Sequence, residues 1–493
     1  TLGNASVTDV YMAQDSGAKV HCLDVKPTGG GALKENMINN SDFAVWSNST
    51  LENVSGTNLV TGWTNSGSYG FANFGSSGAD LTQFDHEGSG VKYAYTNNIA
   101  FVVGKMYKLV IVLDNTSGSL PNLMIAEANG ANAISGTDQG NENNSEDFSF
   151  AGTELNDGTN TFTFTATSLF TTSKKLVLQE NGNAVNNSAT FVLTEVTPAC
   201  IASDALMPDG WAKDTNNDCY RIYGDSALNK DGSPYSLKVN FASGNEIFYP
   251  RGPIQSDPSW WKRFVGQTVT FGCWVYSSAA TLVKLSDTDG ESSATHTGGG
   301  GWEWLEVTRT VDSSIAFFRV VFRGAGTETA YFTQPILALG HSIGSGGYTK
   351  PINEVVYPEE VIRIKKLDNK TGGSGFSDVS ATSLRLDTDT SGKIPANARA
   401  VNVVLSANDS ASAGTSCFVY LAGLNEDKAE LICRPHGKTN DAITDVHGEV
   451  VLEDAETVSG SYVHSPLVTY AIEATGSNTF DITQAYINKV ILK

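Results

Sequence analysis

The chain has 493 residues, of which 40% are hydrophobic and 17% charged, and its formal net charge at pH 7 is −21. The length predicts about three domains, at roughly 100–200 residues each. An acidic chain repels phosphate backbones, so we expect no nucleic-acid partner. No apolar run is long enough to cross a bilayer as a helix, so we also expect no membrane insertion.

Residues 1–36 contain short strand-like pieces and end near the glycine-rich sequence KPTGGGA (26–32). Glycine-rich sequence of this kind is flexible, so it predicts a hinge. The chain starts with TLGNASVTDV, which has neither the basic start nor the apolar stretch of a signal peptide. We interpret residues 1–36 as an N-terminal attachment segment.

Strand signals then recur to the end of the chain, whereas helix signals are almost absent. Short segments rich in β-branched and aromatic residues are separated by clusters of Gly, Asn and Ser. Examples are YKLVIVL (107–113), NTFTFTA (160–166), FFRVVFR (317–323) and AVNVVLSA (400–407). This spacing predicts an all-β fold made of β-sandwiches.

An internal repeat divides the middle of the chain. VVGKMYKLVIVLDNTSG (102–118) parallels FVGQTVTFGCWVYSSAA (264–280), with Gly104 matching Gly266. After each glycine, four apolar residues alternate with others, as on one face of a strand: Tyr107, Leu109, Ile111 and Leu113 in the first copy, and Val269, Phe271, Cys273 and Val275 in the second.

Four further pairs of segments follow the same order: 62–71 with 210–220, 160–168 with 303–311, 174–182 with 318–326, and 188–196 with 329–337. The repeat therefore predicts two tandem modules, at 37–198 and 199–345. Residues 341–351, HSIGSGGYTKP, predict a linker. A C-terminal β domain, 356–493, does not share the repeat.

Several phrases of the two modules occur in a recognisable order. They are NMINNSDFAVWSN (36–48), Gly210–Trp211, the strand from Gly266 to Val275, WEWLEVT (302–308) and TQPILALG (333–340). This order resembles the carbohydrate-binding-module-like jelly roll of bacteriophage tail and head fibre proteins. It is also similar to modules attached to secreted glycoside hydrolases.

The resemblance implies a non-enzymatic virion structural protein, a tail or head fibre that displays glycan-binding modules for attachment to a host cell-surface glycan. The N-terminal segment would dock on other virion proteins. Similar fibres are homotrimers, and their place is the virion. The alternative is a secreted bacterial multi-module adhesin or polysaccharide-binding protein.

The second module supplies the candidate glycan-binding residues: Trp260, Trp261, Trp302, Trp304 and Arg263. Flat aromatic rings stack on the C–H faces of sugars at low entropic cost. Trp302 and Trp304 are two residues apart, so they share one face of a strand. The alternative is that the tryptophans fill the core or a subunit interface, where Trp and Tyr are also common.

Trp274 and Tyr276 are interface candidates. They alternate with the apolar residues of 269–275 and so lie on the opposite face of that strand. Packing around a three-fold axis would bury them. The first module has Val112 and Asp114 at these positions, so a site in the second module does not carry over to the first.

No catalytic set is visible. The seven histidines are scattered, and neither GxSxG nor a P-loop occurs, so we expect no enzymatic activity and no cofactor. The Asp-rich turns 214–218, 229–233 and 286–292 leave a structural Ca²⁺ open, although Asx turns explain them equally well. Cys200 with Cys219, or Cys417 with Cys433, can pair in an oxidising compartment.

Overall fold

The structure is a computed structural model of the chain. It describes residues 35–88, 90–126, 153–166, 174–182, 184–201, 207–225, 227–230, 233–242, 245–250, 258–287, 291–348, 354–369, 379–409, 417–422, 431–433, 443–458, 461–474 and 480–492. Most of the predicted attachment segment, residues 1–34, lies outside these ranges. Within them, no helix is long and apolar enough to cross a membrane.

The fold is all-β, as predicted, and the first unit is a two-sheet sandwich. Its strands are β1 (Thr50–Asn53), β2 (Trp63–Asn65), β3 (Asn73–Ser77), β4 (Asp80–His86), β5 (Lys92–Thr96), β6 (Met106–Asp114), β7 (Asn122–Ala126), β8 (Thr153–Glu154), β9 (Gly158–Thr165), β10 (Lys175–Glu180) and β11 (Ala184–Cys200). The front sheet runs β9-β6-β11-β4-β3, and the back sheet β2-β5-β10-β7-β8. Apolar side chains that alternate along these strands meet between the sheets in one core.

The second sandwich follows with β12 (Ala212–Lys213), β13 (Asp218–Tyr223), β14 (Tyr235–Phe241), β15 (Glu246–Tyr249), α1 (Pro258–Lys262), β16 (Thr268–Ser277), β17 (Leu282–Asp287), β18 (Glu291–Thr295), β19 (Gly301–Thr310), β20 (Phe318–Arg323) and β21 (Glu328–Leu339). Its front sheet runs β19-β16-β21-β14-β13, and its back sheet β12-β15-β20-β17-β18. Stacked rings mark its core: the ring centroids of Trp211 and Phe322 are 5.3 Å apart, and those of Phe322 and Phe332 are 4.2 Å apart.

The predicted internal repeat is confirmed strand by strand. The two sandwiches have the same strand order in both sheets, and β6 occupies the place in the first that β16 occupies in the second. Gly104 and Gly266 precede these strands with positive φ angles of 84° and 76°. Glycine adopts such angles without the steric cost that a Cβ brings, which explains why both copies have glycine here.

The two front sheets are continuous. At the end of the long strand β11, Ala199 and Cys200 pair with Tyr220 and Cys219 of β13. The result is one sheet of eleven strands across both sandwiches in the described part of the chain. Backbone hydrogen bonds across the boundary restrain the two sandwiches relative to each other more firmly than a flexible linker would.

The C-terminal domain is a third sandwich. It consists of β22 (Val355–Val356), β23 (Ile362–Arg363), β24 (Val379–Arg385), α2 (Leu386–Asp389), β25 (Ala398–Asp409), β26 (Cys417–Ala422), β27 (Leu431–Cys433), β28 (Ile443–Val451), β29 (Glu453–Val458), β30 (Ser461–Ala474) and β31 (Phe480–Leu492). One sheet runs β22-β31-β25-β28, with β23 also on β31. The other runs β24-β30-β26-β27, with β29 also on β30.

Residues 36–49, here called the junction segment, correct the predicted domain boundary at residue 37. Ile38, Phe43 and Trp46 belong to the core of the second sandwich, not the first. The ring centroid of Phe43 lies 5.0 Å from that of Trp211. The second sandwich is therefore discontinuous in sequence, and the first is inserted between the junction segment and β12.

The junction segment also contacts the third sandwich. Residues 40–49 are all buried. Phe43 and Trp46 point into the second core, whereas Ala44 and Val45 belong to the core of the third. Four successive side chains thus fill two different cores, and the segment joins the second and third sandwiches.

Polar groups complete this junction. The amide of Asn40 donates to the carbonyls of Val45 (2.9 Å) and Asp209 (3.0 Å), and its oxygen accepts from the backbone of Ala44 and Val45. The carboxylate of Asp209 accepts from the backbone of Ser47 (2.8 Å) and of Glu359 (2.7 Å). Buried backbone groups that face no strand partner are satisfied in this way.

The predicted linker, 341–351, is partly described. Its backbone N–H groups at Ile343 and Gly344 bind the carboxylate of Glu306 in β19. The hydroxyl of Tyr348 lies 3.1 Å from that of Ser41 in the junction segment. These residues therefore pack on the second sandwich instead of forming a free tether.

The cysteines of the predicted pair Cys200–Cys219 lie directly opposite each other on β11 and β13. Both are buried and form no disulfide, as is also true of Cys273 and Cys433. Burial raises the pKa of Cys219 well above its ordinary value, which keeps that thiol protonated. The side chain of Cys417, the predicted partner of Cys433, lies outside the description.

We predict that Asn40→Ala loosens the junction between the second and third sandwiches. The change leaves several buried backbone groups unpaired, at about 1–3 kcal/mol each. Hydrogen exchange read by mass spectrometry should show faster exchange in 40–49 and in 386–398, with the first sandwich unchanged.

The matched control is Asn58→Ala. Asn58 makes a similar clamp inside the first sandwich, where it binds the carbonyl of Phe191 (2.8 Å) and the N–H groups of Val60 and Leu193. Its loss should speed exchange in the first sandwich alone. Unchanged exchange of 386–398 in Asn40→Ala would contradict the role given to the junction.

Candidate functional site

The outer face of the second front sheet is built by alternation along β16. Phe271, Cys273 and Val275 are fully buried in the core, whereas Trp274 and Tyr276 are half-buried on the other face. This confirms the predicted phase of the strand.

Strand register gathers five aromatic side chains there. Trp274 lies opposite Trp304, and Tyr276 lies between Trp302 on β19 and Tyr331 on β21. The ring centroids are 5.7–5.8 Å apart in each contact, with interplanar angles of 64–82°. Edge-to-face geometry of this kind is a favourable aromatic contact. We call these five residues the aromatic ladder.

Residues 225 and 227–230 lie along one side of the ladder. The ammonium of Lys230 is 4.6 Å from the ring centroid of Trp274, a cation–π contact. The indole N–H of Trp302 donates to the carbonyl of Ala227 at 3.0 Å. Burial first, and then the charge of Asp225, raise the pKa of Tyr331. The ladder is thus bordered by charged and polar groups of both signs.

Glu306 fixes the other end of the ladder. Its carboxylate accepts the indole N–H of Trp304 at 3.0 Å and the backbone N–H groups of Ile343 and Gly344. Burial acts to raise the pKa of Glu306, but these hydrogen bonds outweigh it, and the pKa is lowered. Glu306 therefore stays ionised at neutral pH and orients the Trp304 ring.

Gly272 provides the space for that ring. A Cβ on Gly272 would stand 2.3 Å from Cζ2 of Trp304. The glycine sits mid-strand in β16, where glycine otherwise weakens a strand. Its presence is explained by the close approach of the indole.

The predicted Trp260–Trp261 pair lies elsewhere, on the short helix α1. Trp261 is 8% exposed and packs in the second core, so we leave it out of the surface site. Trp260 is half-buried and stacks on Phe318 with centroids 5.8 Å apart. Arg263 is exposed and lies over the ring of Phe264, 4.7 Å from its centroid.

The sequence-predicted set therefore separates into two places. Trp302 and Trp304 join the two residues predicted as interface candidates, Trp274 and Tyr276. Tyr331 and Lys230 are not among the residues predicted from the sequence. The alternation in TAYFTQPIL, 329–337, places Tyr331 on the outer face, but only the pairing of β21 with β16 shows which residue it meets.

The Asp-rich turns are the predicted candidates for a structural Ca²⁺. Within the described ranges, no group of three or more His, Cys, Asp or Glu side chains is placed to hold a metal ion. The carboxylate of Asp214 instead accepts the backbone N–H of Glu246 at 2.7 Å, a structural turn contact. Residues 231–232 and 288–290 of the other two turns lie outside the description.

No family model and no curated protein matches this chain. Among solved structures, it is similar to the CBM22 and GH10 modules of endo-1,4-beta-D-xylanase 10B of Clostridium thermocellum complexed with xylohexaose, at 12% identity and a TM-score of 0.21. That match covers 27% of this chain and 26% of the xylanase structure, so the chain spans about a quarter of its length.

A second similar structure is the N-terminal tandem domain of two CBM22 modules from Paenibacillus barcinonensis. The identity is 8%, the TM-score is 0.21, and the match covers 59% of this chain and 96% of the tandem. At these values the similarity carries no weight for function.

We predict that Gly272→Ala displaces the Trp304 ring. The added methyl forces an overpacked contact that costs about 1–3 kcal/mol. Near-ultraviolet circular dichroism should change because the Trp274–Trp304 contact is altered, and the unfolding temperature should fall.

The control variant is Gly301→Ala, in the partner strand β19, because a Cβ there meets nothing within 4 Å. Its spectrum and unfolding temperature should stay close to those of the unchanged protein. Equal behaviour of the two variants would show that Gly272 does not hold space for Trp304.

Proposed function

We propose that this chain is a non-enzymatic glycan-binding protein and that the aromatic ladder is its sugar-contact surface. One observation carries the proposal: three strands bring Trp274, Tyr276, Trp302, Trp304 and Tyr331 to one outer sheet face. Core packing does not require them there, because the inner face of the same strands already fills the core.

The chemistry of the ladder suits a sugar. Aromatic faces pack against sugar C–H groups at little entropic cost, because an aromatic side chain has only two χ angles to restrain. The hydroxyls of Tyr276 and Tyr331 and the charged groups of Lys230 and Asp225 can bind sugar hydroxyls at the rim. Binding pockets combine apolar surface with a few polar groups in the same way.

The first sandwich supports this assignment by contrast. It has the same strands, but Val112, Thr159 and Ser188 stand where register places Trp274, Trp304 and Tyr331 in the second. Its outer face at these positions is therefore without aromatic residues. We propose that the first sandwich acts as a spacer.

The helix α1 offers a second candidate contact through Trp260 and Arg263. Trp260 is partly accessible, and the exposed guanidinium of Arg263 lies 5.9 Å from its ring centroid. This surface is smaller, since Trp261 is buried beneath it. We rank it below the ladder for that reason.

We further propose that the chain is a tail or head fibre of a virion, attached to other virion proteins through residues 1–36, and a homotrimer. The support is the order of sequence phrases that resembles fibre proteins, together with the tandem sandwiches. Three copies would multiply a weak sugar affinity through avidity. A secreted bacterial adhesin is the competing proposal, and a signal peptide in the full-length gene would favour it.

Glycan binding is tested on an array of bacterial surface polysaccharides with Trp302→Ala and Trp304→Ala. Each variant should bind the glycan recognised by the unchanged protein about tenfold more weakly, equivalent to about 1.4 kcal/mol. Tyr69→Ala is the matched control, because Tyr69 is a 42% exposed aromatic residue of the first sandwich. Loss of binding in Trp260→Ala alone would move the site to α1 and refute the ladder.

Light scattering shows whether the ladder is a sugar-contact surface or a subunit interface. A homotrimer should have three times the chain mass of 52.3 kDa. If Trp274→Ala lowers glycan binding and keeps the mass, the ladder faces the sugar. If it dissociates the trimer, the ladder is the interface.

A monomeric unchanged protein would count against the fibre. Release of reducing ends from the bound polysaccharide would contradict a non-enzymatic role.

A further inference from the structure

A cleft in the third sandwich is separate from the ladder. It opens between residues 360–365, around β23, and residues 390–393, the turn after α2. Its volume is about 510 Å³, within the range of roughly 300–1,000 Å³ that holds small ligands. The lining residues are Glu360, Val361, Arg363, Lys365, Thr390 and Lys393. We call it the basic cleft.

The charge of this cleft is opposite to that of the chain. Three of its six lining side chains are cationic and one is anionic. The whole chain has 32 Lys and Arg among 493 residues and a net charge of −21. Like charges brought together repel one another, so a cationic group of this density requires a reason in such an acidic protein.

The three cations are unequally paired. The guanidinium of Arg363 binds the carboxylate of Asp368 at 2.7 Å and is 58% exposed. The ammonium of Lys365 donates to the hydroxyl of Ser391. The ammonium of Lys393 makes no hydrogen bond or close ion pair among the described residues, although the charges of Glu360 and Asp209 act on it from a distance. Lys393 is therefore the cation left to meet a ligand.

Burial lowers the pKa of Lys393. The charges of Glu360 and Asp209 oppose this shift, and the like charge of Lys365 adds to it. Burial also lowers the pKa of Lys365, against the charge of Asp389. Both shifts mean that the charged ammonium is disfavoured in the cleft as it stands. An anion placed between the two ammonium groups would reverse that effect, because an opposite charge nearby stabilises the charged form.

The walls of the cleft are held in place by the junction segment. The backbone N–H of Glu360 donates to the hydroxyl of Ser47 at 3.1 Å, and the carbonyl of Lys393 accepts from Trp46 at 3.4 Å. The hydroxyl of Thr390 bonds to the carbonyl of Leu386 at 2.6 Å. The cationic groups thus project from a fixed backbone, which lowers the entropic cost of binding.

We propose that the basic cleft binds the anionic group of a small ligand, a carboxylate or phosphate carried on a sugar unit. Lys393 and Lys365 contact the anion, and Arg363 closes the outer side. Val361, which is 50% exposed, supplies an apolar wall for the sugar ring. Glu360 opposes the anion and limits its affinity. This goes beyond the proposed function, because the ladder lies on another sandwich and does not require the cleft.

The test is calorimetric titration of the full chain at pH 7 and low salt with three probes: sodium glucuronate, inorganic phosphate and neutral glucose. We expect saturable binding of an anion that depends on Lys393. Any binding of glucose belongs to the ladder, so it should be lost in Trp302→Ala and kept in Lys393→Met. Lys393→Met should weaken anion binding about tenfold, whereas Glu360→Gln should strengthen it severalfold, because removing a like charge favours the anion. Lys393→Arg should retain binding, which separates lost charge from misfolding.

Lys262→Met, at an exposed lysine of α1, is the matched control and should bind as the unchanged protein does. Binding of glucuronate, of phosphate or of both supports the cleft and identifies the group. Trp302→Ala should leave anion binding unchanged, so failure of the ladder and failure of the cleft are distinguishable. No saturable anion binding, or equal binding by Lys393→Met and the unchanged protein, would overturn the proposal.

Discussion

The burial of residues 40–49 between two sandwiches is the constraint on which much of this structure depends. Phe43 and Trp46 enter the second core while Ala44 and Val45 enter the third, so neither core is complete without this segment. Asn40 and Asp209 satisfy the backbone that this exchange leaves without strand partners. The same segment holds both walls of the basic cleft, so a packing requirement at the junction also positions a candidate binding surface on the third sandwich.

The two repeated sandwiches show how one fold separates structural from surface demands. Their inner faces follow the same alternation, because both must fill the space between two sheets. Their outer faces meet no such requirement and have diverged: Val112 stands in one copy and Trp274 in the other. The shared inner-face residues are explained by packing. A function specific to the second sandwich therefore depends on the outer-face residues that differ between the copies.

Charge distribution separates the two candidate surfaces. The ladder is apolar, with Lys230 and Asp225 at its rim, and suits neutral sugar faces. The basic cleft concentrates cations in a chain of net charge −21 and suits an anion. A charged polysaccharide offers both kinds of group, and restrained sandwiches would keep the two surfaces in a constant relation.

The sequence by itself determined the all-β class, the repeat, and the outward phase of Trp274 and Tyr276, because strand alternation and turn composition are local properties. It placed Trp302 and Trp304 on one strand face for the same reason. Only the tertiary structure decided that they meet Trp274 and Tyr276, that Trp261 is core, and that the junction segment packs into the second and third sandwiches and not into the first. Strand register, the packing of a short helix and the path of a segment between two cores depend on contacts between residues far apart in the chain, which local patterns do not encode.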